Sequence, residues 1–444
     1  MLGRRAALAM IAATATLASA RGRTPIGGRA QLRVPWPVSA LDPHRLDDVA
    51  CAIFGGGVFD SLYALDGAHV VPALAEAMPE SVSDGTRVRL RSGITTATGR
   101  PLGVRDVIAS IARARSGDGR AWLADLPTPR RIDDVTLHFA HGPLDGVTLG
   151  QSKLAVSLAS PLCAIVPLSF TADHPDATGA FAVTRDGGTL LLSRNVRAAM
   201  GASFLDGITC HPATDLADSL RAFEAGTDDV GWLGLGLHDP RAGARAFDAG
   251  PVAYGLLRTG RDAGAWDTPG VAQRLADGID PGLLANLAPG PPWTVQPDQG
   301  WGGNPCEMLV RDDSPYLVEL ARAVAVALSK PSHEITVRLV PASFLRDRRA
   351  SRAYALAIDV ARPFQPGLLG TLAALATSDN PEAAPDVVRH PPHIADMPPR
   401  TLTRTMRIGV VSEIHVQGGR IPDLTLPPSA AGGIDWPNAT RVHR

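Results

Sequence analysis

Short apolar runs and amphipathic stretches alternate regularly in the second half of the chain. The apolar runs predict three strands at 307–311, 335–340 and 354–360. Helices are predicted to begin near residues 314 and 343, between these strands. The β-α-β-α-β order predicts a parallel sheet, in which ligands bind beyond the carboxyl ends of the strands. We therefore expect a ligand contact in the loop 360–364.

The first half of the chain has a different pattern, with strands that alternate apolar and polar residues. Turn signals at 83–86 and 186–188 predict hairpins between these strands. A helix is predicted at 102–114, with its inward positions at Leu102, Val107, Ile111 and Ala114. The apolar stretch at 406–416 predicts a further strand. These patterns indicate a mixed α+β lobe followed by an α/β lobe.

Five motifs follow one another within residues 41–114. They are LDPH at 41–44, VFDSLY at 58–63, VPALAEAMPE at 71–80, SDGTRVRLRSGI at 83–94 and RPLGVRDVIASIARA at 100–114. Their order and spacing resemble the family 5 periplasmic solute-binding proteins, the receptors of peptide, nickel and related ABC importers. In that family VFDSLY corresponds to a helix, SDGT to a hairpin and the D-V-x-x-S of the last motif to a helix.

The resemblance continues at 177–195, 204–233 and 267–280, although Ala180 stands where the family usually carries proline. It implies an α/β, two-lobed periplasmic-binding-protein-like fold of type II, with an extra subdomain in the first lobe. The implied divisions are a signal peptide at 1–20, the start of lobe 1 at 21–45, the extra subdomain at 46–164, lobe 1 at 165–265, lobe 2 at 266–400 and a return to lobe 1 at 401–444. Hinges are expected near residues 266 and 400.

The N-terminus has the pattern of a targeting segment. Arg4 and Arg5 precede an apolar run at 6–17, and Ala18-Ser19-Ala20 forms a small-residue cleavage site. The apolar run is shorter than the roughly 20 residues that cross a bilayer. The paired arginines are compatible with either twin-arginine or general export. No cysteine lies near the cleavage site, so we expect a soluble periplasmic protein that begins at Arg21.

Composition adds little beyond size and compartment. A chain of 444 residues with 45% hydrophobic residues and a net charge of -1 can bury a large core, and nothing in this balance suggests nucleic acid binding. Lys153 and Lys330 are the only lysines in the sequence. The four cysteines allow three pairings into two disulfides, but their wide spacing leaves free buried thiols as an equal alternative.

The ligand loop departs from the family at its charged position. In peptide-binding relatives an acidic residue after the strand at 354–360 holds the peptide ammonium. With Pro366 aligned, Arg362 stands at the acidic position, and a guanidinium favours a carboxylate or phosphate. A shift of three residues would instead place Asp359 there. Both residues are candidate ligand contacts, against the alternative of a surface loop charge.

Three further side chains are candidate ligand contacts. Trp232 ends a predicted strand, and its side chain would either line the cleft or pack in the core. Trp301, in the glycine-rich QGWGGNP loop, is expected to be exposed and to offer a flat apolar wall. His44 belongs to the LDPH motif, which the resemblance places near the lobe junction, and a structural role is its alternative.

The resemblance implies a periplasmic substrate-binding component that captures a peptide or a similar small polar ligand by hinge closure. Its expected partners are that ligand and the permease subunits of an ABC importer, and we expect a monomer with no catalytic residues, resident metal or cofactor. His390 and His393 form the only close histidine pair, without a neighbouring carboxylate or thiol. The alternatives are a ligand-sensing or partner-binding receptor not coupled to transport, and an enzyme on the same scaffold.

Overall fold

The computed structural model describes residues 26–140, 151–232, 241–287, 293–296, 299–391 and 397–442. The predicted signal peptide at 1–20 lies outside these residues. Within the described chain the strands are β1 Arg29–Val34, β2 Tyr63–Asp66, β3 His69–Pro72, β4 Glu80–Val82, β5 Gly85–Arg89, β6 Arg130–Arg131, β7 Thr136–Ala140, β8 Phe181–Asp186, β9 Thr189–Arg194, β10 Gly207–Pro212, β11 Val230–Trp232, β12 Arg245–Thr259, β13 Cys306–Arg311, β14 Ile335–Val340, β15 Leu356–Ala361, β16 Ile408–Arg420, β17 Leu424–Thr425 and β18 Thr440–Arg441.

Ten α-helices occur in the same described residues. They are α1 Val49–Val58, α2 Val104–Ser116, α3 Gln151–Leu158, α4 Leu216–Glu224, α5 Val271–Asp277, α6 Pro315–Leu328, α7 Ala342–Ser351, α8 Leu368–Asp379, α9 Ala384–Arg389 and α10 Pro399–Leu402. The helix implied for VFDSLY is wrong, because α1 ends at Val58 and Phe59 already has extended dihedral angles. The motif continues as non-helical chain into β2.

One ten-stranded sheet runs through the molecule in the order β14-β13-β15-β12-β16-β11-β1-β10-β9-β8. Its second-lobe end confirms the predicted β-α-β-α-β unit, since β13 pairs in parallel with both β14 and β15. Helix α6 begins after Ser314, whose hydroxyl accepts a hydrogen bond from the Leu317 amide. Its inward residues are fully buried because they repeat at helical spacing, at Leu317, Leu320, Val324 and Leu328.

Two long antiparallel strands, β12 and β16, connect the lobes. β12 pairs with β15 of the second lobe through residues 254–259, and β16 pairs with β11 of the first lobe through residues 418–420. The register between β12 and β16 shifts on both sides of Pro251, so the strands are bulged near their middle. The hinge positions expected near 266 and 400 lie outside both strands.

The extra subdomain has its own sheet, in the order β4-β5-β7-β6, and its own hydrophobic core. That core includes three of the predicted inward residues of α2, Leu102, Val107 and Ile111, whereas Ala114 packs in a small neighbouring cluster. Both predicted hairpins are present, as β4–β5 and β8–β9. The core runs in sequence from Leu62 to Ile165, close to the expected subdomain at 46–164, although the exact divisions stay predictions.

The C-terminal residues pack against the first lobe. The Trp436 indole donates a hydrogen bond of 2.9 Å to the Ile53 carbonyl and stacks on Phe54 with ring centroids 5.7 Å apart. Arg441 pairs with Asp229 at 2.9 Å. The return of the tail therefore fixes α1, the helix that contributes to the site described next.

Candidate functional site

A cavity of about 240 Å³ lies where the two lobes and the crossing strands meet. Four segments contribute most of its lining, within 51–56 of α1, 249–254 of β12, 362–367 after β15 and 429–434 near the C-terminus. Arg362 is the one charged side chain among the lining residues that the structure describes. The polar groups of Tyr254 and Thr371 also line the cavity, and their hydroxyl oxygens are 3.3 Å apart.

Arg362 is the first residue after β15 and is 3% exposed. Its Nε donates to the Arg45 carbonyl at 2.8 Å, its Nη2 donates to the Pro43 carbonyl, and its backbone amide donates to the Leu46 carbonyl at 2.9 Å. Across the described residues no carboxylate oxygen lies within 4.0 Å of this guanidinium. The cation is therefore hydrogen-bonded but has no ion-pair partner within 4.0 Å, a costly state for a buried charge. Asp48 lies near it, and burial raises the pKa of this carboxyl to about 6 while the charge of Arg362 acts to lower it.

Asp359 lies three residues earlier and is already paired. Its Oδ2 accepts from Arg258 Nε at 3.0 Å and from Arg349 Nη1 at 3.1 Å. Burial alone would lower the pKa of Arg349, but the carboxylates of Asp359 and Asp47 raise it. The negative charge of Asp359 is thus balanced by the protein itself, and this cluster links α7 and β12 to β15.

His44 is buried beside the same junction and its hydrogen bonds define its tautomer. Arg113 Nη1 donates to Nδ1 at 2.7 Å, so Nε2 carries the proton that it donates to the Ala164 carbonyl at 2.8 Å. Burial lowers the pKa of His44 to about 4, the Arg113 guanidinium acts in the same direction, and the bond to Ala164 opposes them. The ring is neutral at pH 7 and positions the LDPH loop.

The loop after β15 packs against the first lobe. Phe364 stacks on Trp122 with centroids 5.4 Å apart and planes 8° apart, and its carbonyl accepts from the Ser160 hydroxyl at 2.6 Å. Phe364 shares a buried apolar cluster with Leu46 and Leu162 of the first lobe. The lobes are therefore in direct contact on one side of the cavity.

Solved structures with this arrangement share little sequence with the chain. AppA from Bacillus subtilis, an oligopeptide-binding protein solved with a nonapeptide, matches with a TM-score of 0.71 at 12% identity over 95% of this chain and 100% of that one. NikA from Staphylococcus aureus, solved with Ni(L-His)2, matches with a TM-score of 0.68 at 15% identity over 93% and 100%. The chain has the fold of the family 5 solute-binding proteins.

A third structure with the solute-binding fold, AgaA from A. tumefaciens R10 in complex with agropinic acid, matches with a TM-score of 0.67 at 13% identity over 94% of this chain and 99% of that one. No protein-family model matches the chain. No curated protein matches it either. The neighbours are binding proteins rather than enzymes.

The two candidate tryptophans lie in the core of the solute-binding fold. Trp232 ends β11 as predicted and packs in the main core, the second of its two expected environments. The predicted exposure of Trp301 is wrong, since it is 1% exposed and its ring contacts Trp266 at 5.1 Å between centroids. A Cβ on Gly303 would lie 2.3 Å from the Trp301 ring, so glycine serves close packing here rather than exposure.

Sequence reasoning missed the bulge in β12. Ala249, Gly250, Pro251 and Val252 all line the cavity, and Gly250 has a φ of +83°. A Gly-Pro pair inside a strand is a known signal of a bulge and was present in the sequence. Cys51 was also missed, and its thiol lies beside Arg362 in the cavity.

Within the described residues, no group of three or more His, Cys, Asp or Glu side chains is arranged to hold a metal ion. His393 lies outside the described residues. All four cysteines are free, three of them buried. Among the helices of the described chain, none is both long and apolar enough to cross a membrane.

Proposed function

We propose that this chain is the substrate-binding component of an ABC importer, which captures a small ligand bearing an anionic group between its two lobes. The solute-binding fold supports this function, as do neighbours that hold a nickel chelate, a nonapeptide and agropinic acid. The cavity lies between the lobes and is lined by both. The crossing strands β12 and β16 provide the connection about which the lobes would close.

The environment of Arg362 is the observation that supports an anionic ligand. It is a buried guanidinium with no carboxylate oxygen within 4.0 Å in the described chain, and it lines the cavity. A ligand carboxylate or phosphate would complete its charge balance through charge-assisted hydrogen bonds, each worth about 1.5–3 kcal/mol. We propose Arg362, rather than the fully paired Asp359, as the anchor, and we propose no ligand role for Trp232, Trp301 or His44.

The size of the cavity supports a small ligand. Its volume of about 240 Å³ lies below the range of roughly 300–1,000 Å³ that is usual for sites of drug-sized molecules. The remaining lining combines small and apolar residues such as Ile53 and Gly56 with the Tyr254 and Thr371 hydroxyls. A compact acid with a short apolar part fits this composition better than a long peptide does.

The segment at 1–20 supports export and cleavage after Ala20, and thus a soluble periplasmic protein. We propose the permease subunits of an ABC importer as its partner, and a monomer as its working form. We propose no catalytic role, since Arg362 and the two hydroxyls of the cavity supply contacts for binding without a nucleophile activated by a base.

The test is a thermal-shift screen of the purified mature chain. The probes are small carboxylic acids, phosphorylated metabolites and acidic dipeptides, each with an uncharged amide or ester counterpart. Anionic probes should raise the melting temperature while their counterparts do not, and saturation at a hundredfold excess over Kd adds about 2.7 kcal/mol of stability. Calorimetry should then show that Arg362→Gln weakens binding by roughly ten- to a hundredfold.

Two control variants separate charge from general damage. Arg362→Lys keeps the positive charge and should retain part of the affinity, because a lysine ammonium still binds an anion as a point charge. Arg322→Ala removes an exposed guanidinium of α6 that pairs with Glu319, and it should bind like the wild type. Binding of cationic probes together with unchanged affinity in Arg362→Gln would contradict the anionic ligand.

A further inference from the structure

A histidine is held between two carboxylates on the strands that connect the lobes. His415 of β16 has its Nδ1 at 3.1 Å from Asp248 Oδ2 of β12. Its Nε2 lies 3.4 Å from Glu413 Oε2 on the same strand. A neutral imidazole has one N–H and can satisfy one of these carboxylates, whereas the imidazolium donates to both. The geometry therefore favours the protonated ring.

This cluster is attached to the wall of the cavity. Asp248 Oδ1 also accepts the Gly250 amide at 2.7 Å, which closes the tight turn at the start of the bulge. Pro251, which lines the cavity, is the register partner of His415 across the two strands. The bridge from His415 to Asp248 thus acts on the segment 249–252 that forms one side of the cavity.

The surroundings of His415 raise its pKa overall. The hydrogen bond to Glu413 raises the pKa of His415, burial lowers it, and the negative charge of Asp248 raises it further. Glu413 is itself near Tyr254 of β12 and Arg400 of α10, so the cluster includes groups from three elements. In the described residues His415 is half-buried with these two carboxylates as its ion-pair partners.

We propose that His415 is a proton-dependent bridge between the crossing strands, which holds the cavity-lining bulge 249–252 most tightly when protonated and less tightly when deprotonation removes its charge and one of its two hydrogen bonds. A histidine with a raised pKa in the folded state contributes its full stabilisation below about pH 6.5, the ordinary value, and loses it as the pH rises through the raised value. The wall of the cavity therefore loosens from neutral toward alkaline pH. This inference does not depend on the identity of the ligand.

Hydrogen exchange of the mature protein between pH 5.5 and 8.5 tests the bridge without any ligand. Amide protection in peptides covering 247–254, after correction for intrinsic exchange rates, should fall by roughly threefold or more between pH 6 and 8 relative to peptides of β13. NMR titration of the His415 ring should give a midpoint above about pH 6.5, the ordinary value for histidine.

Three variants make the outcome decisive. His415→Gln should remove the pH dependence, and Asp248→Asn should move the His415 titration to lower pH while leaving the ring in place. His211→Gln alters a histidine of β10 that contacts Thr189 and should leave the exchange profile unchanged. A His415 midpoint at or below the ordinary value, or the same exchange profile in wild type and His415→Gln, would overturn the proposal. If His415→Gln does not fold, the Asp248→Asn titration decides alone.

Discussion

Replacing Asp359 with asparagine should destabilise the protein while leaving ligand binding intact. The change keeps the size of the side chain but removes the charge that balances Arg258 at 3.0 Å and Arg349 at 3.1 Å. Arg258 is 3% exposed, and its Nη2 has no hydrogen-bond partner within the described chain. Loss of one partner from a buried ion pair costs about 3–5 kcal/mol, because the remaining charge stays desolvated.

The expected change in melting temperature follows from the length of the chain. An unfolding entropy of about 2.1 cal/mol/K per residue gives about 0.9 kcal/mol/K for 444 residues. Asp359→Asn should then lower the melting temperature by about 3–5 °C if the chain unfolds in one transition, and by more if the second lobe unfolds separately. Calorimetric melting measures this directly.

The control is Glu307→Gln in the same lobe. Glu307 pairs with Arg338 at 2.9 Å, and both side chains are more than half exposed, so removal of this charge should cost less than about 1 kcal/mol. If Asp359→Asn melts within a degree of wild type, the ion cluster does not stabilise the second lobe. If it melts like wild type and no longer binds the ligand, Asp359 rather than Arg362 contacts that ligand, which then carries a cationic group.

Two further predictions concern His44 and Gly303. The lowered pKa of His44 gives stability that is present above about pH 6.5 and is lost as the pH falls toward 4. In His44→Gln, thermal melts should therefore show a loss of unfolding free energy between pH 6.5 and 4 that is smaller than in wild type by on the order of 3 kcal/mol. An equally steep loss of stability with falling pH in the variant would contradict this role of His44. Gly303→Ala should cost about 1–3 kcal/mol in urea unfolding, since its Cβ would press on the Trp301 ring, whereas Gly56→Ala, with nothing within 4 Å, should not destabilise. Equal stability of the two variants would contradict this packing.

The elements that could be predicted from sequence are those stabilised by local periodicity. The unit from β13 to β15 was predictable because each strand is a short apolar run and the apolar face of α6 repeats at helical spacing. The full lining of the cavity was not predictable, because it combines distant parts of the chain. Nothing in the local sequence around Cys51, Pro251, Arg362 or Ile434 indicates that these residues come together. Trp301 was misjudged because glycine near an aromatic residue signals either exposure or close approach, and spacing alone does not distinguish them.

The packing of Trp436 on α1 has a consequence for the order of folding. Helix α1 is near the start of the chain, yet its final environment requires a side chain almost four hundred residues further along. The first lobe therefore cannot complete its core before Trp436 has been synthesised and has left the ribosome, and contacts of such large sequence separation form slowly. The cavity, which residues 429–434 also line, therefore forms only after this late part of the chain has reached α1.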